Sequence, residues 1–219
     1  MTRLAPDLRV YTVVDTSVAA LDQAPRIAAE AAAGGSGIIQ LRAKEAPTRE
    51  VLAAFIAMGQ AVAGRAALVI NDRVDVYLAA RAVTEHVHGV HVGQSDLPAA
   101  AVRALIGPDA ILGLSASTAA QAREAAGLGA GAVDHLGVGA IHATPTKPDA
   151  PDPLGYGGLA DVVAASALPC VGIGGLDLPD AAGVRSAGAA GMAVVRAVAG
   201  APDPRTAAAA LLTAWEAAA

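Results

Sequence analysis

The chain is predicted to be a single α/β domain, a (β/α)8 TIM-type barrel spanning residues 1–219. Three observations predict it. Short apolar runs rich in Val, Ile and Leu alternate with Ala-rich stretches of helical spacing. The apolar runs are nearly continuous rather than in-out alternating, as expected of parallel strands covered on both faces. Eight such units within 219 residues, with no interdomain linker, fit a compact closed barrel better than an open doubly wound sheet.

The elements follow in order. Strands are expected at 10–14, 37–41, 67–70, 87–92, 111–114, 133–138, 169–173 and 192–195, each a short β-branched or aliphatic run. Helical spacing of Ala and larger apolar residues predicts helices at 25–33, 48–63, 98–106, 118–128, 159–165, 179–187 and 204–218. Asp96 and Asp177, just ahead of Pro98 and Pro179, mark helix starts, and Thr118 opens another. Gly34-Gly35, Gly107, Gly127 and Gly188 mark helix ends. Residues 143–158, rich in Pro, Gly, Thr and Asp, show neither periodicity. A stretch of that length in a compact domain reads as a binding loop, and its place after strand six puts it on the catalytic face. It is expected to close over a bound ligand.

Composition narrows the function. With 58 Ala and only 2% aromatics, the core must be built from close-packed aliphatic side chains. A net charge of −5 and a pI near 5.4 argue against non-specific nucleic-acid binding, which needs a basic footprint. No apolar run approaches the ~20 residues of a membrane span, and the first residues lack a signal-peptide pattern. The single cysteine, Cys170, has no internal disulfide partner and reads as a small buried hydrophobe. The expected setting is cytoplasmic, with small-molecule substrates and no nucleic-acid or membrane partner; a homo-oligomer stays open.

In such a barrel, polar residues at the strand ends face the active site. Here they are Gln40, Arg42 and Lys44 after strand two, Asn71 and Asp72 after strand three, and Gln94 and Asp96 after strand four. Ser115, Ser117 and Thr118 follow strand five, Thr144, Thr146 and Lys147 follow strand six, Gly174-Gly175 end strand seven, and Arg196 ends strand eight. Arg42 and Lys44 alternate on one strand end and suit a polyanion such as a diphosphate. The blander alternative is an interstrand ion pair, against which stands the absence of an acid between them. Asp72 and Asp96 end consecutive strands, so their carboxylates can share a Mg²⁺ with substrate phosphate oxygens. The competing role for them is helix capping. Gly174-Gly175 and the strand-eight end match a barrel phosphate site, although tight turns need glycine in any case. The histidines lack zinc spacing and read as structural or solvent-facing, His142 excepted because it leads into the loop.

Seven blocks in register resemble the thiamine phosphate synthase family. They are Gln40-Leu41-Arg42-Ala43-Lys44, Ile70-Asn71-Asp72-Arg73-Val74-Asp75, Gly89-Val90-His91-Val92-Gly93-Gln94-Ser95-Asp96, Leu112-Gly113-Leu114-Ser115-Ala116-Ser117-Thr118, Gly137-Val138-Gly139-Ala140-Ile141, Thr144-Pro145-Thr146-Lys147 and Gly172-Ile173-Gly174-Gly175. The resemblance implies transfer of an aminopyrimidine methyl group from its diphosphate to the ring nitrogen of a thiazole phosphate, giving thiamine phosphate and diphosphate. It implies that Gln40, Leu41, Arg42, Ala43, Lys44, Asn71, Ser115 and Lys147 hold the pyrimidine diphosphate, with Arg42, Lys44, Ser115 and Lys147 closest to the chemistry. It further implies Mg²⁺ on Asp72 and Asp96, and thiazole phosphate on Thr144, Pro145, Thr146, Gly175, Val195 and Arg196.

Four positions depart from the family pattern. Ala43 stands where Glu is usual and Ser117 where His is common. Gly139-Ala140-Ile141-His142 replaces a common Gly-Pro-Ile-Phe, and Arg196 stands where Ser usually cradles the thiazole phosphate. A thiazole tautomerase of the same barrel, or a non-catalytic phosphate-ligand barrel, are the competing readings. Ser117 in place of a catalytic His, beside a full set of diphosphate and metal residues, favours the synthase.

Overall fold

Eight parallel strands close on themselves in sequence order, each paired with the next and β8 with β1. They are β1 (Val10–Asp15), β2 (Ile38–Arg42), β3 (Ala67–Asn71), β4 (Gly89–Val92), β5 (Ile111–Ala116), β6 (His135–Val138), β7 (Cys170–Ile173) and β8 (Gly191–Val194). The computed structural model describes residues 5–144 and 152–218. The helices among them are α1 (Ala24–Ala33), α2 (Thr48–Val62), α3 (Val74–Arg81), α4 (Ala99–Ile106), α5 (Ala119–Gly127), α6 (Gly155–Ala165), α7 (Ala181–Ser186), α8 (Arg196–Ala199) and α9 (Pro204–Ala217). Every predicted strand is present, with ends shifted by at most two residues. No helix is long and apolar enough to cross a membrane.

The near-continuous apolar strands bury two faces. Outward residues such as Val10, Val14, Ile39, Leu41, Leu68, Ile70 and Leu112 pack with the helices in one large cluster. Inward residues Tyr11, Val13, Ile38, Ala67, Val69, Ile111, Val171 and Ala193 form a second cluster inside the bore. The helices present matching stripes: α1 buries Ala24, Ile27, Ala28, Ala31 and Ala32, and α2 buries Val51, Phe55, Met58, Gly59 and Val62. Alanine lets these helices lie close to the sheet, which is how an aromatic-poor chain still closes its core.

The bore holds polar rings as well as aliphatic side chains. Gly113 on β5 is in register with His91 on β4 and His135 on β6. A Cβ on Gly113 would lie 2.3 Å from His91 Nδ1 and 2.6 Å from His135 Nε2, so only glycine leaves room for both imidazoles. His135 stacks edge-on to Tyr11 with ring centroids 5.8 Å apart, and lies 5.7 Å from His91. Among the described residues neither nitrogen of His135 has a hydrogen-bond partner. Burial pushes its pKa down to about 4, so it packs as a neutral ring.

Two expectations need correcting. The helix expected at 159–165 begins earlier, at Gly155, whose φ is +60°. Its first turn, Gly155-Tyr156-Gly157-Gly158, carries no apolar stripe to announce it, because only Leu159 and Val162 are buried in that helix. The expected loop at 143–158 therefore ends sooner, and its central residues 145–151 lie outside the described residues. Strand eight stops at Val194, and Arg196 opens the short helix α8.

Candidate active site at the C-terminal mouth

The inward parity of each strand places its last polar side chain at one end of the barrel. Arg42, at the end of β2, is not free as its neighbours in sequence suggest. Its Nη1 donates to Asp15 Oδ2 at 2.5 Å, and Asp15 ends β1 in register with it. The Asp15 side chain is 2% exposed and Arg42's 17%, so this is a largely desolvated pair. Ser17 N–H adds a 2.8 Å bond to Asp15 Oδ1. The interstrand ion pair, the blander alternative for Arg42, is present, with its acid on the preceding strand. It leaves Arg42 oriented rather than flexible.

Two residues deeper on the same strand, Gln40 Nε2 donates to the Tyr11 hydroxyl at 2.5 Å. Leu41 and Ala43 alternate the other way. Both are buried in the layer between barrel and helices, so the side chains expected among the substrate contacts turn away from the mouth. A molecule in the mouth would reach them only through the backbone.

Lys44 reaches over the rim, its Nζ 3.9 Å from Asp72 Oδ2. Asp72 sits in the left-handed region with φ +61°, which Asp tolerates better than most residues. Its N–H donates to His91 O at 2.8 Å, which pins the turn. Burial, then the charge and hydrogen bonding of Asp96, push the Asp72 carboxyl up to about 6, against the pull of Lys44 and Arg42. Two carboxylates thus face each other across the ends of β3 and β4. Neither caps a helix: Asp96 Oδ2 accepts the Gly93 N–H at 2.7 Å, and α3 and α4 start without side-chain caps. By contrast Asp177 and Thr118 cap as expected. Among the described residues no group of three His, Cys, Asp or Glu side chains converges as a metal cage. A pair of mutually repelling carboxylates beside open solvent fits Mg²⁺, which takes one or two carboxylates and completes its shell with water and phosphate oxygens.

Asn71 ends β3 half-buried, with no side-chain partner among the described residues. Ser115 on β5 shares a 3.0 Å hydrogen bond with His91 Nε2, and its carbonyl accepts Gln94 Nε2 at 2.6 Å. His91 is 9% exposed and backs the mouth from within the bore. The reading of the histidines as merely structural or solvent-facing overlooked this contact.

On the far side, Ile141 and His142 donate their N–H groups to Ile173 O and Gly174 O at 3.0 and 2.9 Å. Gly174 and Gly175 both have positive φ, +102° and +67°. A Cβ on Gly175 would sit 2.8 Å from His142 Cβ and 2.9 Å from Ala143 O, so the turn lies flat against the segment leading to Thr144. Val195 packs against the inner cluster, and Arg196 is exposed with no ion-pair partner among the described residues. Pro145, Thr146 and Lys147 lie outside the described residues.

The mouth thus divides into two halves. The β2–β5 side carries interleaved cations and carboxylates; among the described residues the β6–β8 side carries a glycine turn, Thr144 and the exposed guanidinium of Arg196. The profile of the thiamine monophosphate synthase family matches residues 10–198. A thiamine-phosphate synthase of Roseiflexus sp. (strain RS-1) is 45% identical over 208 residues, covering 92% of this chain and 83% of the relative. One from Moorella thermoacetica is 44% identical over 209 residues, 93% of each chain. The solved structure of a thiamine phosphate pyrophosphorylase from Pyrococcus furiosus superposes with a TM-score of 0.83 at 32% identity, over 97% of this chain and 98% of that one.

Proposed function

The chain belongs to the thiamine monophosphate synthase family, and on that premise we propose that it is a transferase joining an aminopyrimidine methyl diphosphate to a thiazole phosphate. The carbon–oxygen bond to diphosphate breaks, the methylene carbon bonds to the thiazole ring nitrogen, and thiamine phosphate and diphosphate leave. The observation that supports this best is the β2–β5 half of the mouth. There Arg42 and Lys44 stand beside the paired carboxylates Asp72 and Asp96, an arrangement for a polyanion and a divalent cation together.

The protein needs no nucleophile for this reaction. An electron-rich aminopyrimidine stabilises the positive methylene as the leaving group departs, so catalysis is positioning plus preorganised charge. Gln40, Asn71 and Ser115 line the pyrimidine side, while Arg42, Lys44 and Lys147 meet the growing negative charge of the diphosphate. Arg42 is already aimed by Asp15, so little reorganisation accompanies the reaction. Asp72 and Asp96 hold Mg²⁺, which when bound neutralises phosphate oxygens. Thr144, Pro145, Thr146, Gly175, Val195 and Arg196 seat the thiazole phosphate and set its nitrogen in line. Each well-placed cation lowers the barrier by a few kcal/mol, and ~3 kcal/mol is about a hundredfold in rate. We place the enzyme in the cytoplasm, where a single unpaired Cys170 stays reduced.

The test is product formation from the two phosphorylated substrates, with Mg²⁺ and with a chelator. Equimolar thiamine phosphate and diphosphate, lost on chelation, supports the reading. Saturable binding of both substrates without product would replace it with a binding barrel.

A further inference from the structure

One carboxylate behind the thiazole half of the mouth gathers three donors from three parts of the chain. His142 Nε2 lies 2.9 Å from Asp180 Oδ1, and the Tyr156 hydroxyl donates to the same oxygen at 2.5 Å. The other oxygen, Oδ2, accepts the Asp177 N–H at 2.7 Å, within the capping box at the start of the 3-10 turn Leu178–Asp180. The His142 and Tyr156 rings also meet edge to face, 5.5 Å between centroids. Partial burial works against the Asp180 charge, but Tyr156, the Asp177 N–H and His142 outweigh it and hold the carboxyl below its ordinary range. The Tyr156 phenol, bonded to that charge, is pushed up to about 12 and stays a donor.

The placement of these residues gives the cluster its meaning. His142 leaves β6 two residues before Thr144, and Tyr156 lies in the first turn of α6. Asp180 follows the Gly174-Gly175 turn and leads into α7. The chain also returns to the segment just after β6 through Leu154 N–H to Ala140 O at 2.8 Å and Gly155 N–H to Ile141 O at 3.0 Å. Both sides of the β6–α6 connection are therefore tied to the connection that follows β7. The close approach of Gly175 to His142 and Ala143 means that any slack at His142 moves Thr144 relative to the glycine turn.

We propose that His142, Tyr156 and Asp180 are positioning residues for the phosphate of the thiazole substrate, holding Thr144 and Gly175 at a fixed separation. None of the three touches substrate. They act through the backbone of Ala143-Thr144 and of Gly174-Gly175. This rests on the reading of that half of the mouth as the thiazole phosphate seat.

His142→Ala and Tyr156→Phe each remove one donor and leave the Asp177–Asp180 cap in place. Each is expected to raise KM for the thiazole phosphate about tenfold (~1.4 kcal/mol), with KM for the pyrimidine diphosphate and kcat within twofold of wild type. His142→Gln keeps an N–H donor at similar reach and is expected to restore most of the affinity, which a purely steric role for the ring would not allow. Calorimetric titration of thiazole phosphate into each resting protein reads the same loss without turnover. Unchanged thiazole phosphate affinity in both variants overturns the proposal, as does an equal rise in both KM values with a lowered Tm. A wild type that binds thiazole phosphate but forms no product refutes the synthase reading and leaves the tether to be judged by the titrations. A wild type that does not bind it overturns both.

Discussion

Asp72→Asn is expected to make the empty protein more stable at neutral pH while abolishing its Mg²⁺-dependent turnover. The carboxyl of Asp72 is raised from the ordinary 3.8 to about 6, first by burial and then by Asp96. At 1.36 kcal/mol per pH unit that rise corresponds to ~3 kcal/mol of disfavoured charge. The side chain is 24% exposed, so solvent screening reduces the figure to ~1.5 kcal/mol. The pull of Lys44 and Arg42 is already contained in the value of about 6. Net, the charged Asp72 costs on the order of 1 kcal/mol. The sign follows from linkage: a folded state with the higher carboxyl pKa binds a proton more readily than the unfolded chain between pH ~4 and ~6. Wild-type stability therefore falls as pH rises through that window and levels off above it. Asn lacks the titration, is isosteric, and tolerates the φ of +61° at this position. In chelator, thermal unfolding at pH 8 is expected to place Tm of Asp72→Asn ~2–4 °C above wild type. The gain should vanish at pH 4. Added Mg²⁺ should raise the wild-type Tm by mass action and leave the variant unmoved. A variant less stable than wild type at pH 8, or one that keeps full activity at limiting Mg²⁺, would refute the reasoning.

Three further outcomes follow from the same geometry. Asp15→Asn strips a desolvated partner from Arg42, and breaking such a pair costs about 3 kcal/mol, so Tm should fall ~6–12 °C and KM for the pyrimidine diphosphate should rise; calorimetry and steady-state kinetics read both. Lys147→Ala should lower kcat at least tenfold with a smaller change in KM for the pyrimidine substrate, because the charge it meets grows as diphosphate departs; single-turnover rates check it. Arg196→Ser should weaken thiazole phosphate about tenfold and leave pyrimidine diphosphate affinity unchanged, whereas tighter thiazole phosphate binding would mean the guanidinium fills the pocket.

The fold was legible because its signals are local. Each β strand is a run of four to six residues whose two buried faces force continuous hydrophobicity, and the glycines after the helices punctuate the repeat. Helix α6 was partly illegible for the same reason, since a Gly-Tyr-Gly-Gly turn carries no stripe. The placement of the candidate site residues was legible where a strand end carries its own polar groups, as at Arg42, Asp72 and Asp96. It was not legible where chemistry depends on what the neighbouring strand brings. Asp15 closes β1 directly in register with Arg42, and an inward count along β1, with Tyr11 and Val13 facing the bore, would have found it. The pairing of His91 and His135 around Gly113 joins three strands spread over more than forty residues, and no local pattern carries that.

On the proposed reading, these counter-charges also explain how an acidic chain would build an anion site. Arg42 is held by Asp15, and Lys44 leans toward Asp72, so the two cations of the β2 end are oriented before any diphosphate arrives. In the proposed reaction a substrate diphosphate with Mg²⁺ would exchange one set of opposite charges for another rather than gather like charges in an empty mouth. Arg196 has no such partner among the described residues, and of the described mouth cations it has most to gain from an incoming phosphate. The asymmetry assigns a different character to each half. On the proposed pyrimidine side, binding should rearrange existing ion pairs and depend on pH through Asp72. On the proposed thiazole side, binding should form a new ion pair at an exposed guanidinium, and its affinity should fall more steeply with added salt.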